Sequence, residues 1–162
     1  MAAIDFKINS APLWNGLEKL KREAGRNGAL SQRLLRIMGR SFVAVARRSF
    51  REASLQVPSP WPGYSPGPDG GPSRYALRKQ ARGRTRMLVD TGTLVESLRA
   101  DNPAGDSIRV HSAAPYAMYH HTGTKSMPMR RFFPVTESEQ LTPQGEAAIK
   151  SALLAVWNSM RK

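Results

Sequence analysis

Residues 30–53 read LSQRLLRIMGRSFVAVARRSFREA, and the architecture is built around this stretch. Leu34, Ile37, Met38, Phe42, Val45 and Phe50 recur near helical spacing, while Arg33, Arg36, Arg40, Arg47, Arg48 and Arg51 fill much of the remaining circumference. Apolar residues repeating every three to four positions bury one face of an α-helix. The pattern predicts a single helix from about Leu30 to Ala53, roughly 35 Å long at 1.5 Å per residue, enough to cross a whole small sheet. Its arginines read first as a solvated face and second as a surface turned towards DNA or an acidic subunit.

Upstream, Ile4, Phe6 and Ile8 alternate with Asp5 and Lys7, the period of a short strand. Ser10 is placed to cap a helix over 11–24, with Pro12 in its first turn, Leu13, Trp14, Leu17 and Leu20 on one face, and Gly25 and Gly28 closing it. Downstream, the hydrophobic order resumes after a long interruption. Met87, Leu88 and Val89 lead into the turn signal Asp90-Thr91-Gly92, and Leu94 to Ala100 reads as a strand or a short helix. Asp101 to Asp106 makes a tight connection, and Ile108 and Val110 form a second strand paired back as a hairpin. Pro115 precedes a short helix at Ala117-Met118-Tyr119 that Gly123 ends. Met127 to Pro134 is irregular. Gln144 to Met160 is the last helix, striped by Ile149, Leu153, Val156, Trp157 and Met160.

The interruption itself has two parts. Val57 to Pro72 holds six prolines and four glycines, which remove backbone donors and deny both helix and central strand. Trp61 and Tyr64 are its only large aromatics, and aromatics in a loop with no core of its own serve as anchors, either on their own domain or on a neighbour, with a partner subunit slightly favoured. Ser73 to Arg86 carries Arg74, Arg78, Lys79, Arg82, Arg84 and Arg86 and no acid, which predicts a flexible basic arm that orders against something negative. The expected fold is therefore α+β: one domain over 1–162, with a small antiparallel sheet packed against a long helix and a C-terminal helix. Residues 57–86 form its extended loop and arm.

Composition narrows the function. The chain has 162 residues, 40% hydrophobic, with a net charge of +13 and no cysteine. Disulfides, thiolate metal sites and thiol nucleophiles are excluded. No charged segment followed by an apolar run opens the chain, and no apolar stretch approaches a membrane span, so neither export nor a membrane partner is expected. The charge calls for an acidic partner. Chemistry is sparse. His120 and His121 are adjacent, about 100° apart on a helix, and His111 is remote, so these read as polar surface histidines rather than metal ligands. Glu137 and Glu139 read as a first helical turn or a solvated face. Ser97 and Ser112 have no identifiable base, and HExxH, GxSxG and Walker patterns are missing. The expectation is a non-enzyme with no cofactor and no metal.

Three segments carry a resemblance. Met87 to Leu98, reading MLVDTGTLVESL, resembles an LxDTGxLxxSI pattern; Pro115 to Thr124, PYAMYHHTGT, is similar to YAxxHxxG; Met127 to Phe133, MPMRRFF, looks like iPaRPFl, with Arg131 where proline is usual. Phe50 followed by Pro58, Pro60 and Trp61 fits the same pattern of a helix running into a proline- and tryptophan-bearing loop. Together these resemble the phage virion morphogenesis family, the tail-completion proteins of Mu-like and P2-like phages. The resemblance implies a structural virion protein, made in the host cytoplasm and placed at the head–tail junction. It would form a ring, six-fold to match the tail, beside neighbouring neck and tail proteins, with genome DNA in the channel. Asp90, Gly92, Leu94, Tyr116, Ala117, His120, Gly123, Arg130 and Phe132 are then residues that maintain the fold. Gly92 and Gly123 give backbone freedom, while Tyr116, Tyr119, Phe132 and Phe133 supply bulk where sheet meets helices. The other reading is a non-specific DNA-binding protein that uses its basic arm. A nuclease is a third, weaker one.

Overall fold

The computed structural model describes residues 29–52, 61–62, 66–83, 88–102, 107–138 and 140–160. The strand expected at Ile4 to Ile8, the helix over 11–24, and Pro58, Pro60, Tyr64, Arg84, Arg86 and Glu139 lie outside the described residues.

The long amphipathic stretch forms helix α1, Ala29–Ser49. Leu34, Leu35, Met38, Phe42 and Ala46 are buried on one face, and all six arginines from Arg33 to Arg51 are exposed on the other. The helix stops four residues short of the expected end. Its final turn tightens, with Phe50 N donating to Arg47 O at 3.3 Å and Arg51 N to Arg48 O at 2.9 Å, and Phe50 is buried.

Three short elements follow in the order expected between Leu94 and Val110. Helix α2, Arg74–Ala81, precedes them; then come α3, Thr93–Glu96, and strand β1, Leu98–Ala100, so the 94–100 segment is a helical turn and a strand in succession. Strand β2, Val110–Ser112, pairs antiparallel with β1 in the register Leu98↔Ser112, Arg99↔His111, Ala100↔Val110. The hairpin lies on α1 at Gly39, where an added Cβ would come within 2.5 Å of Ile108 Cδ1 and 3.0 Å of Ala100 Cβ. Helix α4, Ala117–Thr122, ends at Gly123 as expected. Helix α5, Pro143–Met160, packs along α1 and buries Ile149, Leu153 and Val156. Its start is built by chemistry visible in the sequence: Thr142 Oγ1 accepts from Gly145 N at 3.3 Å, and Pro143 takes the first helical position, where no donor is needed. The α+β class, the small antiparallel sheet and the two covering helices all stand.

The loop and arm over 57–86 need correction. Residues 66–72 close on themselves: Gly67 N donates to Gly71 O at 2.7 Å, and Gly70 N to Gly67 O at 3.0 Å around Pro68-Asp69, with Gly70 at φ +74°. This is a proline-led tight turn followed by a left-handed glycine. Within the basic run, Arg74–Ala81 then forms α2 instead of an extended arm. Ser73 is its N-cap and accepts from Ala76 N at 3.3 Å, and the run Arg-Tyr-Ala-Leu-Arg-Lys-Gln-Ala consists largely of strong helix formers. Capping and propensity together outweigh the few tenths of a kcal/mol that each like-charge pair costs on an exposed helix.

Trp61 also turns inward. Its ring is buried edge-on against Phe50, with centroids 5.4 Å apart at 80°, and its Nε1 donates to Arg131 O at 2.7 Å. The expected anchor on a partner subunit is an anchor on the chain's own domain. Its ring partner Phe50 precedes the proline-rich loop, but the carbonyl that takes its N–H, that of Arg131, is remote in sequence. Replacing Trp61→Ala is expected to lower unfolding free energy by about 3–5 kcal/mol, through the lost ring and the orphaned carbonyl. Urea denaturation of the isolated chain measures it, and an unchanged midpoint would mean that Trp61 is a surface anchor after all.

Candidate functional site

The first and second of the three motif segments and part of the third meet at a cleft of about 560 Å³. Asp90, Gly92 and Leu94 come from the first, Tyr116 and His120 from the second, and Met127 and Arg130 from the third. Ser73 and Tyr75 of the basic segment and Pro66 of the tight turn complete the wall.

Local chemistry explains how each segment reaches the cleft. Gly92, with φ +89° and ψ −12°, is the left-handed residue that turns the chain into α3. Thr91 Oγ1 lies 2.7 Å from Thr93 Oγ1 and holds that turn. Leu88 also takes positive φ, +56°, which a side chain bears at a cost of about 1–2 kcal/mol. Gly123 has φ +78° and ψ 174°, a region only glycine occupies without strain, and an added Cβ would meet Met129 N at 2.9 Å and Met127 O at 3.1 Å. The second and third segments are then laced together. Arg130 N donates to His120 O at 2.8 Å, and Phe132 N to His121 Nδ1 at 3.3 Å. Arg130 is buried, and its Nε donates to Pro62 O at 2.9 Å, so Arg130-Arg131 and Trp61-Pro62 clasp each other through two bonds. Arg131, standing where the resemblance places proline, pairs with Glu137 at 2.9 Å.

The histidines differ from expectation. His121 is 4% exposed and stacks edge-on against Phe132 and Phe133, with centroids 5.0 and 5.7 Å away. Burial, with Arg131 adding to it, lowers its pKa to about 4, so it is a neutral acceptor in the core rather than a surface group. The signal was its spacing: Ala117 and His121, four apart on α4, share one helical face, and both are buried. His120 is half-buried against Tyr116 at 5.9 Å, and its pKa is lowered by desolvation and then by Arg130. Tyr116 and Tyr119, expected as interior bulk, are exposed instead, while Phe132 and Phe133 are fully buried.

Among the interface candidates on the basic segment, Arg74, Arg78 and Arg82 are exposed, and Lys79 is 2% exposed on the inner side of α2. Ser97 and Ser112 meet across the hairpin at 2.6 Å. Ser97 Oγ also donates to Leu94 O at 2.7 Å and Ser112 Oγ accepts from Ala114 N at 3.3 Å, so both hydroxyls are fully engaged. Both hydroxyls therefore serve the fold. Among the described residues, no three histidine, aspartate or glutamate side chains converge on a point that could hold a metal ion. The cleft has apolar floor residues in Leu88, Met127 and Pro128, hydroxyls in Thr91 and Ser126, and an exposed rim in Tyr75 and Tyr116.

Two outcomes follow. Gly123→Ala is expected to destabilise the chain by about 2–4 kcal/mol, because strain and the backbone clash add; thermal melting checks it. His121 titrates near 6.5 when unfolded and near 4 when folded, so its contribution is complete above pH 6.5 and is lost as pH falls towards about 4. His121→Asn keeps an acceptor but not the titration, and should flatten the acid-side loss of unfolding free energy by about 3 kcal/mol. Parallel pH profiles for the two proteins would contradict the buried, neutral assignment.

No protein-family model, curated protein or solved structure matches this chain.

Proposed function

We propose that the protein is a non-catalytic structural subunit of a tailed-phage virion, one that completes the tail or joins it to the head by closing into a ring at the neck. The observation that carries this reading is the cleft. Residues from all three segments that resemble tail-completion proteins line it, and together with the bonds between His120–His121 and Arg130–Phe132 they build one surface feature rather than three unrelated turns.

A ring of identical subunits needs a heterologous contact, in which a concave patch on one copy receives a different patch of the next. The cleft supplies the concave partner, and the exposed Tyr75, Leu77, Tyr116 and Tyr119 supply the large amphipathic side chains that such contacts favour. A copy number of six would match the tail. Neighbouring neck and tail proteins are the partners above and below, and the virion junction is the location.

The exposed tyrosines make this testable without unfolding the subunit. Tyr116→Ser with Tyr119→Ser should leave the melting temperature of the isolated chain within a few degrees, yet reduce complementation of tail joining at least tenfold. A virion reconstruction should show a closed ring of this chain at the junction. Infectious particles at normal yield from the double variant, or a junction without this chain, would overturn the proposal.

A further inference from the structure

Beside the motif cleft there is a second surface of different character, a groove of about 460 Å³ between α1 and β1. Arg40, Arg47 and Arg51 enter it from the helix side and Arg99 from the strand, with Val43 and Leu98 as its floor and no carboxylate in its lining. Arg47 Nη2 donates to the carbonyl of Leu98 at 3.2 Å, and Arg99 Nη1 donates to the carbonyls of Glu96 and, at 3.3 Å, Leu98. Two guanidinium groups are thus held close together with no carboxylate in the lining, an arrangement that a bound anion would stabilise.

The groove continues along the helix. At about 100° per residue, Arg33, Arg36, Arg40, Arg47 and Arg48 fall within roughly a 120° arc of α1, directly opposite buried Phe42, and Arg51 follows in the turn that ends the helix. From Arg33 to Arg47 the stripe runs about 21 Å along the axis. The side chain of Arg48 pairs with Glu52 at 3.1 Å, whereas the side chains of Arg33, Arg36, Arg40 and Arg51 make no ion pair or hydrogen bond among the described residues. Helix α1 holds no acidic residue.

We infer that this face binds the phosphodiester backbone of duplex nucleic acid, without reading its sequence. Two features favour phosphate over an acidic protein. Every cation on the face is an arginine, whose planar fork engages phosphate oxygens in pairs. The face also offers no large apolar anchor: Tyr75, Leu77, Tyr116, Tyr119 and Leu154, the exposed large hydrophobics of the described residues, all lie on other helices. Protein partners are held chiefly by buried aromatic and apolar anchors, while duplex binding rests on phosphate neutralisation. The inference does not depend on the virion reading.

The test uses the full chain and a random-sequence duplex of about 30 bp. Arg36→Ser, Arg40→Ser and Arg51→Ser together should weaken binding at least tenfold at about 100 mM salt. The plot of log affinity against log salt should become shallower by roughly 2 to 3, since each neutralised phosphate contributes about 0.9. Arg74→Ser, Arg78→Ser and Arg82→Ser on α2 remove the same charge and should cost less than about threefold. Because the chain has no cysteine, a dye attached through Ala44→Cys reports the locus without removing any arginine. Its fluorescence should respond to duplex, and a dye on Leu77→Cys should not. Equal losses in the two triple variants, dyes that respond alike, or polyglutamate bound as tightly as duplex would each overturn the inference.

Discussion

The packing of Phe132 and Phe133 is the interaction on which the rest of the molecule depends. Phe133 stacks on Phe42 at 5.7 Å, Phe132 on Phe50 at 5.4 Å, and both touch His121. Trp61 closes the far side against Phe50. One six-ring cluster thereby joins α1, the proline-bearing loop, α4 and the irregular segment before α5. Each buried phenylalanine contributes about 1.5–3 kcal/mol by removal from water, and the edge-on contacts add to that. An irregular segment such as 127–134 has no ladder of its own, so its backbone groups need partners elsewhere. They find them in His120 O, His121 Nδ1 and the Trp61 indole, and this explains why an imidazole sits in the core as a neutral acceptor.

The cluster also decides what is left for the surface. Aromatics drawn into it cannot anchor a partner, and Trp61 is among them. The tyrosines of α4 fall on the opposite helical face from Ala117 and His121 and remain exposed beside the cleft. Charge is partitioned in the same way. Phe42 facing inward turns the arginines of α1 outward as one stripe, whereas α2 shares its cations between a buried Lys79 and exposed Arg74, Arg78 and Arg82. The net charge of +13 therefore has a shape. Among the described residues it is densest along α1, where no large apolar side chain is exposed, and thinner on α2, where Tyr75 and Leu77 are exposed.

Much of the local structure was legible in advance because its causes are local. Periodicity marked α1 and α5; Pro115 and Gly123 bracketed α4; Asp90-Thr91-Gly92 marked the turn; alternation at Ile108 and Val110 marked the hairpin. Each rests on dihedral preference or on spacing along one element, and neither needs a distant partner. The basic segment was misjudged for a different reason. Charge repulsion was weighed, but the capping serine at 73 and the helix-forming run behind it were not, although both are local signals.

What the amino-acid sequence determined by itself is α1, the hairpin, α4 and α5 in their order, the α+β class and the position of the glycines that turn the chain, Gly92 and Gly123. Only the tertiary structure decided that Trp61 faces inward, that His121 and Arg130 are buried, that Tyr116 and Tyr119 are not, and that Arg47 and Arg99 share one carbonyl. The physical reason is sequence separation. Trp61 and Arg131 are 70 residues apart, Arg130 and Pro62 are 68 apart, and Arg47 and Leu98 are 51 apart. Whether a polar or aromatic side chain is buried depends on whether such a partner arrives to satisfy it, and that is a property of the packed chain rather than of any window along it.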